Sequence, residues 1–223
     1  MKLKKIVKIL ISIPKSVIVN YKSLPLNQAF RLPVLVAYDT KILSLKGKFI
    51  IHDLSFGSVR IGFSGAGSAS AMRSVIENNG IMVFQGMTSM GGGSKLCTIN
   101  EKSSIVFGEN THFMGDTIIT ASEKITFGSN YLISWRTQFI DTDFHKIFID
   151  GRDSEKYINH DASITIAENV WIASNVNILK GVTIPAHVVI ASGSTISKSI
   201  EYENCIVSGM PIRVLKKDVY WKA

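Results

Sequence analysis

A histidine placed directly behind two carboxylates is the strongest chemical feature of the sequence. His145 ends the run Asp-Thr-Asp-Phe-His, which begins at Asp141 and has Asp143 at its centre. An imidazole with an ordinary pKa of about 6.5 accepts a proton near neutral pH, and a general base contributes roughly 10²–10⁴ in rate. We therefore predict that His145 is the base that removes a proton from a hydroxyl or an amine.

Three neighbouring side chains are further candidates for the same site. Asp143 can orient the imidazole or hold the molecule whose hydroxyl or amine loses the proton, which we call the acceptor. A carboxylate in an exposed turn can equally cap that turn. Asp141 is a candidate contact to the acceptor on the same grounds. Trp135 offers an aromatic face against which a bound molecule can lie, although packing at a corner of the fold explains it equally well.

The composition indicates a soluble globular protein. The 223 residues are 46% hydrophobic and 19% charged, which is too apolar for disorder, and no unbroken run of about 18 apolar residues is present. Cys97 and Cys205 stand far apart and outside any CxxC pair, so they indicate neither a disulfide framework nor a zinc site. This cysteine usage favours a reducing compartment, and we expect the protein in the cytoplasm.

The formal charge of +8 suits any polyanion, including nucleic acid, an acidic lipid or a phosphate-rich cofactor such as CoA. Nucleic acid is disfavoured because aromatic residues do not interleave with a basic stripe. Residues 1–30 predict a basic amphipathic helix or arm, in which apolar residues recur at three- and four-residue intervals. This helix can pack on its own domain or on a neighbouring subunit, or it can contact the anionic inner face of the membrane. Its apolar residues are Ile6, Ile9, Leu10 and Ile13.

A six-residue repeat dominates the C-terminal half of the chain, and its phase is looser upstream. A period of six suits neither an α-helix nor a single strand, but it suits a short strand and a turn repeated around a coil. Three such units close one turn of a triangular prism, so the predicted fold is an all-β parallel β-helix over residues 31–217. One row of the repeat contains Ile166, Ile172, Ile178, Ile184, Ile190 and Ile196, and a second contains Ile164, Val170, Val176, Val182, Val188 and Ser194.

Tight corners and one long loop interrupt the repeat. Four echoing segments end in asparagine, a residue that tolerates the left-handed backbone conformation of a tight corner. From 145 to 163 the repeat gives way to a polar stretch, which predicts a protruding loop of the kind that carries chemistry on rigid scaffolds. Residues 218–223 are expected to form a tail. The corner segments are FGEN at 107–110, FGSN at 127–130, IAEN at 166–169 and IASN at 172–175.

Two stretches of the sequence resemble a known family. VWIASNVNILKGVTIPAHVVIASGSTISKSI, followed by IVSGMPIRVLKK, resembles the C-terminal signature of hexapeptide-repeat acetyltransferases. LISWRTQFIDTDFHKI is similar to their capsular-polysaccharide and lipopolysaccharide O-acetyltransferase branch, which is related to the maltose and galactoside acetyltransferases. The resemblance covers roughly residues 105–217. It implies a left-handed β-helix that assembles as a homotrimer, with acetyl-CoA in the groove between adjacent subunits.

The resemblance also implies roles for particular residues. It places the catalytic histidine at His145 and implies direct transfer from acetyl-CoA without an acyl-enzyme. No metal is expected, because zinc carbonic anhydrases of the same solenoid hold their metal with three histidines, two of them five apart, and no pair in this sequence has that spacing. The residues that match cofactor contacts are Ser174 and Ser192 for the pantetheine arm, Ser197 and Lys198 near the adenosine, and Arg213 and Lys216 for the nucleotide phosphates.

The sequence therefore predicts an acetyl-CoA-dependent O-acetyltransferase that acts on a sugar hydroxyl of a bacterial surface polysaccharide or its precursor. The carbohydrate class of the acceptor comes from the resemblance alone. N-acetylation of an amino sugar or of a small xenobiotic stays open, because a histidine base serves an amine as well as a hydroxyl. The other alternative is a non-catalytic solenoid that acts as a binding module, which the long polar loop and the basic C-terminal signature disfavour.

Overall fold

Short parallel strands dominate the fold, in agreement with the predicted fold class. The computed structural model describes residues 2–63, 72–149 and 157–222, with side chains from residue 6 onwards. Two helices precede the strands: α1 spans Lys2–Ser23 and α2 spans Leu26–Ala29. Within the described ranges, no helix combines the length and the apolar character needed to cross a bilayer.

Three sheets form the sides of a solenoid, because successive strands enter sheet A, sheet B and sheet C in turn. Neighbouring strands are parallel, except for an antiparallel hairpin at the C-terminal end of sheet A. Sheet A contains, in spatial order, β1 (Val34–Val36), β4 (Val59–Ile61), β7 (Thr88–Met90), β10 (Thr111–Phe113), β13 (Tyr131–Ile133), β16 (Trp171–Ile172), β19 (Val189–Ile190), β21 (Cys205–Gly209) and β22 (Ile212–Lys217). Sheet B contains β2 (Lys41–Leu45), β5 (Val75–Asn78), β8 (Lys95–Thr98), β11 (Ile118–Ala121), β14 (Gln138–Ile140), β17 (Asn177–Leu179) and β20 (Thr195–Ile196). Sheet C contains β3 (Lys48–Ile51), β6 (Ile81–Phe84), β9 (Ser104–Phe107), β12 (Lys124–Phe127), β15 (Ile164–Ile166) and β18 (Thr183–Ile184).

The predicted six-residue rows point into the solenoid and stack from coil to coil. Ile166 pairs with Ile184 in sheet C, and Ile172 pairs with Ile190 in sheet A, so one coil here has 18 residues. Every member of both rows is at most 1% exposed. Burial of each aliphatic side chain contributes roughly 1.5–3 kcal/mol before conformational entropy is subtracted. The predicted repeat is confirmed.

Phenylalanines fill the interior of the upstream coils. Phe84, Phe107 and Phe127 stack on one another in successive strands of sheet C, with ring centroids 4.9 and 5.4 Å apart. Phe107 pairs with Phe127, so this coil has 20 residues and not 18. The longer coil explains why the six-residue period is less regular upstream.

Asparagines form the corners at the positions that the sequence predicts. Asn110, Asn130 and Asn169 join sheet C to sheet A with φ angles of 52°, 60° and 55°, and Asn175 joins sheet A to sheet B with φ of 58°. These values lie in the left-handed region, which asparagine adopts more readily than most residues. We name each corner after the sheets that it joins. The AB corner comprises 134–137, 173–176 and 191–194. The BC corner comprises, among the described residues, 141–149, 157–163 and 180–182, and 197–199 continue this row after β20.

Helix α1 covers the open edge of β1 with polar side chains. The Ser16 hydroxyl oxygen accepts a hydrogen bond from the Val36 N–H at 2.9 Å. The Asn20 side chain accepts a hydrogen bond from the Val34 N–H at 3.2 Å and donates one to the Val34 carbonyl at 2.7 Å. Unpaired backbone groups on an edge strand would otherwise be open to pairing with another chain. These hydrogen bonds therefore complete the N-terminal end of the solenoid.

The side of α1 that faces away from β1 is apolar. Ile6 and Leu10 are exposed, and Ile9 and Ile13 are only partly buried. The predicted helix is present and packs on its own domain through the side that carries Ser16 and Asn20, while most of its large apolar side chains face outward. The sequence pattern shows two faces, and the edge of β1 selects the polar one because it offers unpaired N–H and C=O groups.

Replacing Asn20 with alanine tests the edge contact. We expect Asn20→Ala to lower the free energy of unfolding by about 2–3 kcal/mol, because it leaves buried backbone groups of β1 without partners. Urea denaturation measures this change. Asn27→Ala, at an exposed position of α2, is the matched control and should change stability by less than about 0.5 kcal/mol. Equal losses for the two variants would contradict the assignment.

Candidate active site

His145 lies on a hairpin that projects from the BC corner. The chain leaves β14, turns at Phe144, which has φ of 62°, and returns to β15. Phe148 and Tyr157 form an antiparallel bridge, and the Ile158 N–H donates to the Ile147 carbonyl at 2.9 Å. Residues 150–156 of the predicted loop lie outside the described ranges. The described part shows that the predicted loop is a hairpin with its own hydrogen bonds.

Asn159 and Lys180 hold the two arms of this hairpin together, and the sequence did not single out either of them. The Asn159 side chain donates to the His145 carbonyl at 2.7 Å and to the Asp143 carboxylate at 2.9 Å, and it accepts from the Ile147 N–H at 2.6 Å. The Lys180 ammonium donates to the Asp143 carboxylate at 2.6 Å and to the Asn159 carbonyl at 3.1 Å. The backbone of His145 is therefore fixed on both sides.

Asp143 is bound to these two residues. The hydrogen bonds from Lys180 and Asn159 lower the pKa of its carboxyl group below the ordinary value, so it is ionised at neutral pH. Among the described residues, its carboxylate makes no hydrogen bond to the imidazole of His145. This placement agrees with the turn-capping alternative, in which Asp143 positions the hairpin. Direct contact of Asp143 with the imidazole or the acceptor stays a prediction.

Asp141 is completely buried at the base of the hairpin. Its two carboxylate oxygens accept hydrogen bonds from the backbone N–H groups of Ser122 at 2.6 Å and Glu123 at 3.0 Å. Burial raises the pKa of the carboxyl group, and the backbone hydrogen bonds act in the opposite direction. We correct the predicted acceptor contact at Asp141, because a side chain without exposed surface cannot reach an acceptor. It joins the hairpin to the turn of the preceding coil.

The imidazole of His145 is exposed beside a small cavity. Within the described ranges it has no hydrogen-bond partner, so it is free to accept a proton from a bound molecule. The cavity has a volume of about 180 Å³, which is below the roughly 300–1,000 Å³ typical of ligand sites. One chain therefore offers the candidate base and a shallow depression rather than an enclosed site. The cavity is lined by Ile99, Ser122, Thr142, Phe144, His145, Lys146, Tyr157, Asn159 and Asp161.

Four of the other predicted residues lie together at a different corner. The Asn175 N–H donates to the Trp135 carbonyl at 3.0 Å, and the Ser192 hydroxyl donates to the Ser174 carbonyl at 2.7 Å. Trp135, Ser174 and Ser192 are therefore stacked along the AB corner. Arg213 belongs to the same corner, because the hairpin that carries it turns where the Gly209 N–H donates to the Ser194 hydroxyl oxygen at 3.1 Å. A strand of sheet B separates this group from His145.

The remaining cofactor candidates lie elsewhere. Ser197 and Lys198 are exposed at the BC corner, one coil beyond Lys180, where the neighbouring Ser199 hydroxyl oxygen accepts from the Thr183 N–H at 2.9 Å. Lys216 is exposed near the far end of β22, away from the AB corner. The structure thus brings the predicted residues together in two groups on separate corners, and not in one site within a single chain.

Neither cysteine is suited to act as a nucleophile. Cys97 and Cys205 are free thiols. Burial and the nearby Glu77 carboxylate raise the pKa of Cys97 to about 12, and burial raises the pKa of Cys205. Since the thiolate is the reactive form, both are inert at neutral pH.

A comparison with protein families identifies the repeat. Residues 163–198 match the family described as bacterial transferase hexapeptide (six repeats). This segment contains the coils that carry Ser174 and Ser192. The chain therefore carries the hexapeptide repeats of bacterial transferases, and the predicted resemblance to hexapeptide-repeat acetyltransferases is confirmed.

Two relatives and one solved structure extend this likeness. The chain is 32% identical over 148 residues to an uncharacterized 24.8 kDa protein in the cps region of Klebsiella pneumoniae, covering 66% of this chain and 63% of that protein. It is 33% identical over 115 residues to the galactoside O-acetyltransferase of Escherichia coli K12, covering 52% and 55%. The chain thus spans about three-fifths of the length of these relatives. The crystal structure of the polySia-specific acetyltransferase NeuO has a similar fold, with a TM-score of 0.52 at 21% identity over 85% of this chain and 82% of that chain.

Removing the Lys180 ammonium tests what holds the hairpin. We expect Lys180→Met to speed amide exchange of Ile147 and Ile158 by about fivefold, as the loss of a partly exposed ion pair worth up to ~1 kcal/mol implies. Hydrogen–deuterium exchange over residues 144–149 and 157–162 measures the effect. Lys198→Met, at an exposed lysine of the same corner, is the control. Unchanged exchange in Lys180→Met would show that Asn159 alone orders the hairpin.

Proposed function

We propose that the protein is an acetyl-CoA-dependent O-acetyltransferase that acts on a sugar hydroxyl of a bacterial surface polysaccharide or its precursor. The observation that carries this proposal is the exposed imidazole of His145, which has no hydrogen-bond partner among the described residues and lies on a hairpin fixed by Asn159 and Lys180. The likeness to a galactoside O-acetyltransferase and to a polySia-specific acetyltransferase supports acetyl transfer and a carbohydrate acceptor. We place the reaction in the cytoplasm, where both cysteines stay reduced.

The proposed reaction is a direct transfer. His145 accepts the proton of the acceptor hydroxyl while the hydroxyl oxygen attacks the thioester carbonyl carbon. A backbone N–H stabilises the negative charge on the carbonyl oxygen of the tetrahedral intermediate. The carbon–sulfur bond then breaks, and the imidazolium returns its proton to the CoA sulfur. No protein thiol takes part, in keeping with the raised pKa values of Cys97 and Cys205.

The donor is proposed to lie along the AB corner. Ser174 and Ser192 present polar groups at successive coils, and Arg213 is exposed at the end of the same row. An exposed guanidinium fits the phosphates of a nucleotide, which it can hold with two parallel hydrogen bonds. Trp135 is partly exposed at the start of the row, and we retain it as a contact for the acceptor.

A second copy of the chain would bring the two groups of residues together. Within one chain the AB corner precedes each strand of sheet B and the BC corner follows it, so a strand such as the three-residue β14, roughly 10 Å long, lies between the two corners. We propose a homotrimer of left-handed solenoids, in which His145 of one copy faces the AB corner of the next. The small cavity at His145 supports this arrangement, because a neighbouring copy would deepen it. The exposed Phe144, Ile147 and Ile149 of the hairpin provide apolar surface for the contact.

The catalytic role of His145 is tested by substitution. We expect His145→Ala to lower acceptor-dependent release of CoA from acetyl-CoA at least a hundredfold, because the hydroxyl loses its base. The assay uses a panel of sugars and isolated surface polysaccharide as acceptors. His52→Ala, at an exposed histidine of an upstream coil, is the control and should retain wild-type activity. Activity of His145→Ala within tenfold of the wild type would remove His145 from the mechanism.

Mixed oligomers test whether two copies share one site. Arg213→Glu should raise the KM for acetyl-CoA at least tenfold, because the carboxylate repels the phosphates. Oligomers formed at random from equal amounts of His145→Ala and Arg213→Glu chains should recover about a quarter of wild-type activity. In about a quarter of their interfaces, an Arg213→Glu chain supplies an intact His145 and a His145→Ala chain supplies an intact Arg213. The recovered activity is measured at an acetyl-CoA concentration below the wild-type KM, where the raised KM of Arg213→Glu lowers the rate. The absence of recovery would place both residues in a site within one chain.

A further inference from the structure

Helix α1 exposes a continuous apolar side although it is packed on a protein. Its packed side is mostly polar, with Ser12, Ser16 and Asn20 fully buried against β1 and the residues that follow it, and with Val19 buried beside them in the core. Opposite them lie large apolar side chains that are about half exposed. These are Ile6 at 53%, Val7 at 48%, Leu10 at 63%, Ile11 at 50%, Ile18 at 55% and Tyr21 at 40% exposure. A helix of a globular protein normally has the reverse arrangement.

The exposed apolar surface continues beyond the end of α1. The ring of Tyr21 contacts the ring of Phe30 edge to face, with centroids 5.4 Å apart. Phe30 is 71% exposed, and Leu26 of α2 is 62% exposed. We call these eight side chains, from Ile6 to Phe30, the outer apolar face. Large contiguous patches of this kind on soluble domains mark sites of interaction with a protein or a membrane.

The positive charge of the chain is concentrated at the same end. Residues 1–63 contain 11 Lys and Arg but only two Asp and Glu, a net charge of +9, whereas residues 64–223 contain 14 and 15, a net charge of −1. The whole excess of positive charge therefore belongs to α1, α2 and the first coil. Of the polyanions that the net charge of +8 suits, this distribution favours one that meets the N-terminal end over the phosphates of CoA, because the AB corner and Arg213 lie in the nearly neutral part.

Lysines run along one flank of the outer apolar face. Lys8, Lys15 and Lys22 are spaced by seven residues, which places them on one line along the helix. Lys8 donates to the Gly62 carbonyl at 2.9 Å and Lys15 to the Thr40 carbonyl at 2.6 Å, so their charges are fixed at the boundary between helix and solenoid. Lys22 is exposed. Apolar side chains bordered by lysines are the arrangement of helices that lie in the plane of a membrane interface.

We propose that the outer apolar face docks on an anionic lipid bilayer, with its side chains below the headgroups and the lysines level with them. Charge complementarity selects this occupant: a surface of lipid phosphates attracts an end of the molecule with a net charge of +9. A second copy docked face to face would instead oppose two such charges. The helix lies on the interface and does not enter the bilayer as a span: its 22 residues are long enough to cross, but its lysines make it too polar to do so. This inference does not depend on the catalytic role of His145.

Vesicle co-sedimentation tests the proposal with the full chain. We expect wild-type protein to bind vesicles of phosphatidylcholine containing about 30% phosphatidylglycerol, to bind pure phosphatidylcholine at least tenfold more weakly, and to dissociate at high salt. Leu10→Glu and Ile18→Glu should each lower binding to the anionic vesicles at least tenfold. Met87→Glu introduces the same charge at a distant side chain of 52% exposure and should leave binding unchanged.

Two further measurements distinguish docking on lipid from a protein contact at the outer apolar face. Urea denaturation of Leu10→Glu should match the wild type, because the side chain is exposed; a large loss of stability would instead place this side chain in a protein contact and overturn the proposal. Sedimentation velocity without vesicles should give the same mass for Leu10→Glu and wild type, and a lower mass in the variant would assign the outer apolar face to a subunit contact. Equal binding to neutral and anionic vesicles, or no binding to either, would also overturn the proposal.

Discussion

The stacking of inward aliphatic side chains from coil to coil is the interaction on which the rest of the structure depends. Ile166 rests on Ile184 and Ile172 on Ile190, each in register with a parallel strand pair. Because a shift of one residue would turn every inward side chain outward, this stacking fixes the position of each corner to within a residue. The corners of successive coils therefore form rigid, aligned rows. A chemical group placed on one of them has a defined neighbour in the next coil, as the hydrogen bond from Ser192 to Ser174 shows.

The two ends of such a stack need a different solution, since each end leaves a strand edge unpaired. At the N-terminal end, Ser16 and Asn20 satisfy the backbone of β1, and this use of polar side chains leaves the apolar side of α1 facing outward. At the C-terminal end, β21 and β22 form an antiparallel hairpin, and the Trp221 indole donates to the Asn169 carbonyl at 2.7 Å. The predicted tail thus packs back on the solenoid. If the outer apolar face docks on a bilayer, the N-terminal cap also orients the active-site corners relative to the lipid surface.

The sequence predicts the parts of the fold that repeat at short range. The isoleucine rows and the asparagine corners follow from a six-residue period, and the structure confirms both. The roles of Asp141 and Lys180 could not be predicted, because the hairpin lengthens one coil to 39 residues between Gln138 and Asn177 and hides their alignment. The sequence pattern leaves the orientation of α1 open for a related reason. An amphipathic pattern shows that a helix has two faces, but the unpaired edge of β1 decides which face is buried.

The central claim is that one active site is built from two corners supplied by two copies of the chain. The most direct test is a crystal structure of the protein with CoA bound. We predict that the pantetheine arm lies between His145 of one copy and the row formed by Ser174, Ser192 and Arg213 of its neighbour, with the CoA sulfur close to the imidazole. CoA bound wholly within one chain, or bound with its sulfur far from His145, would contradict the account.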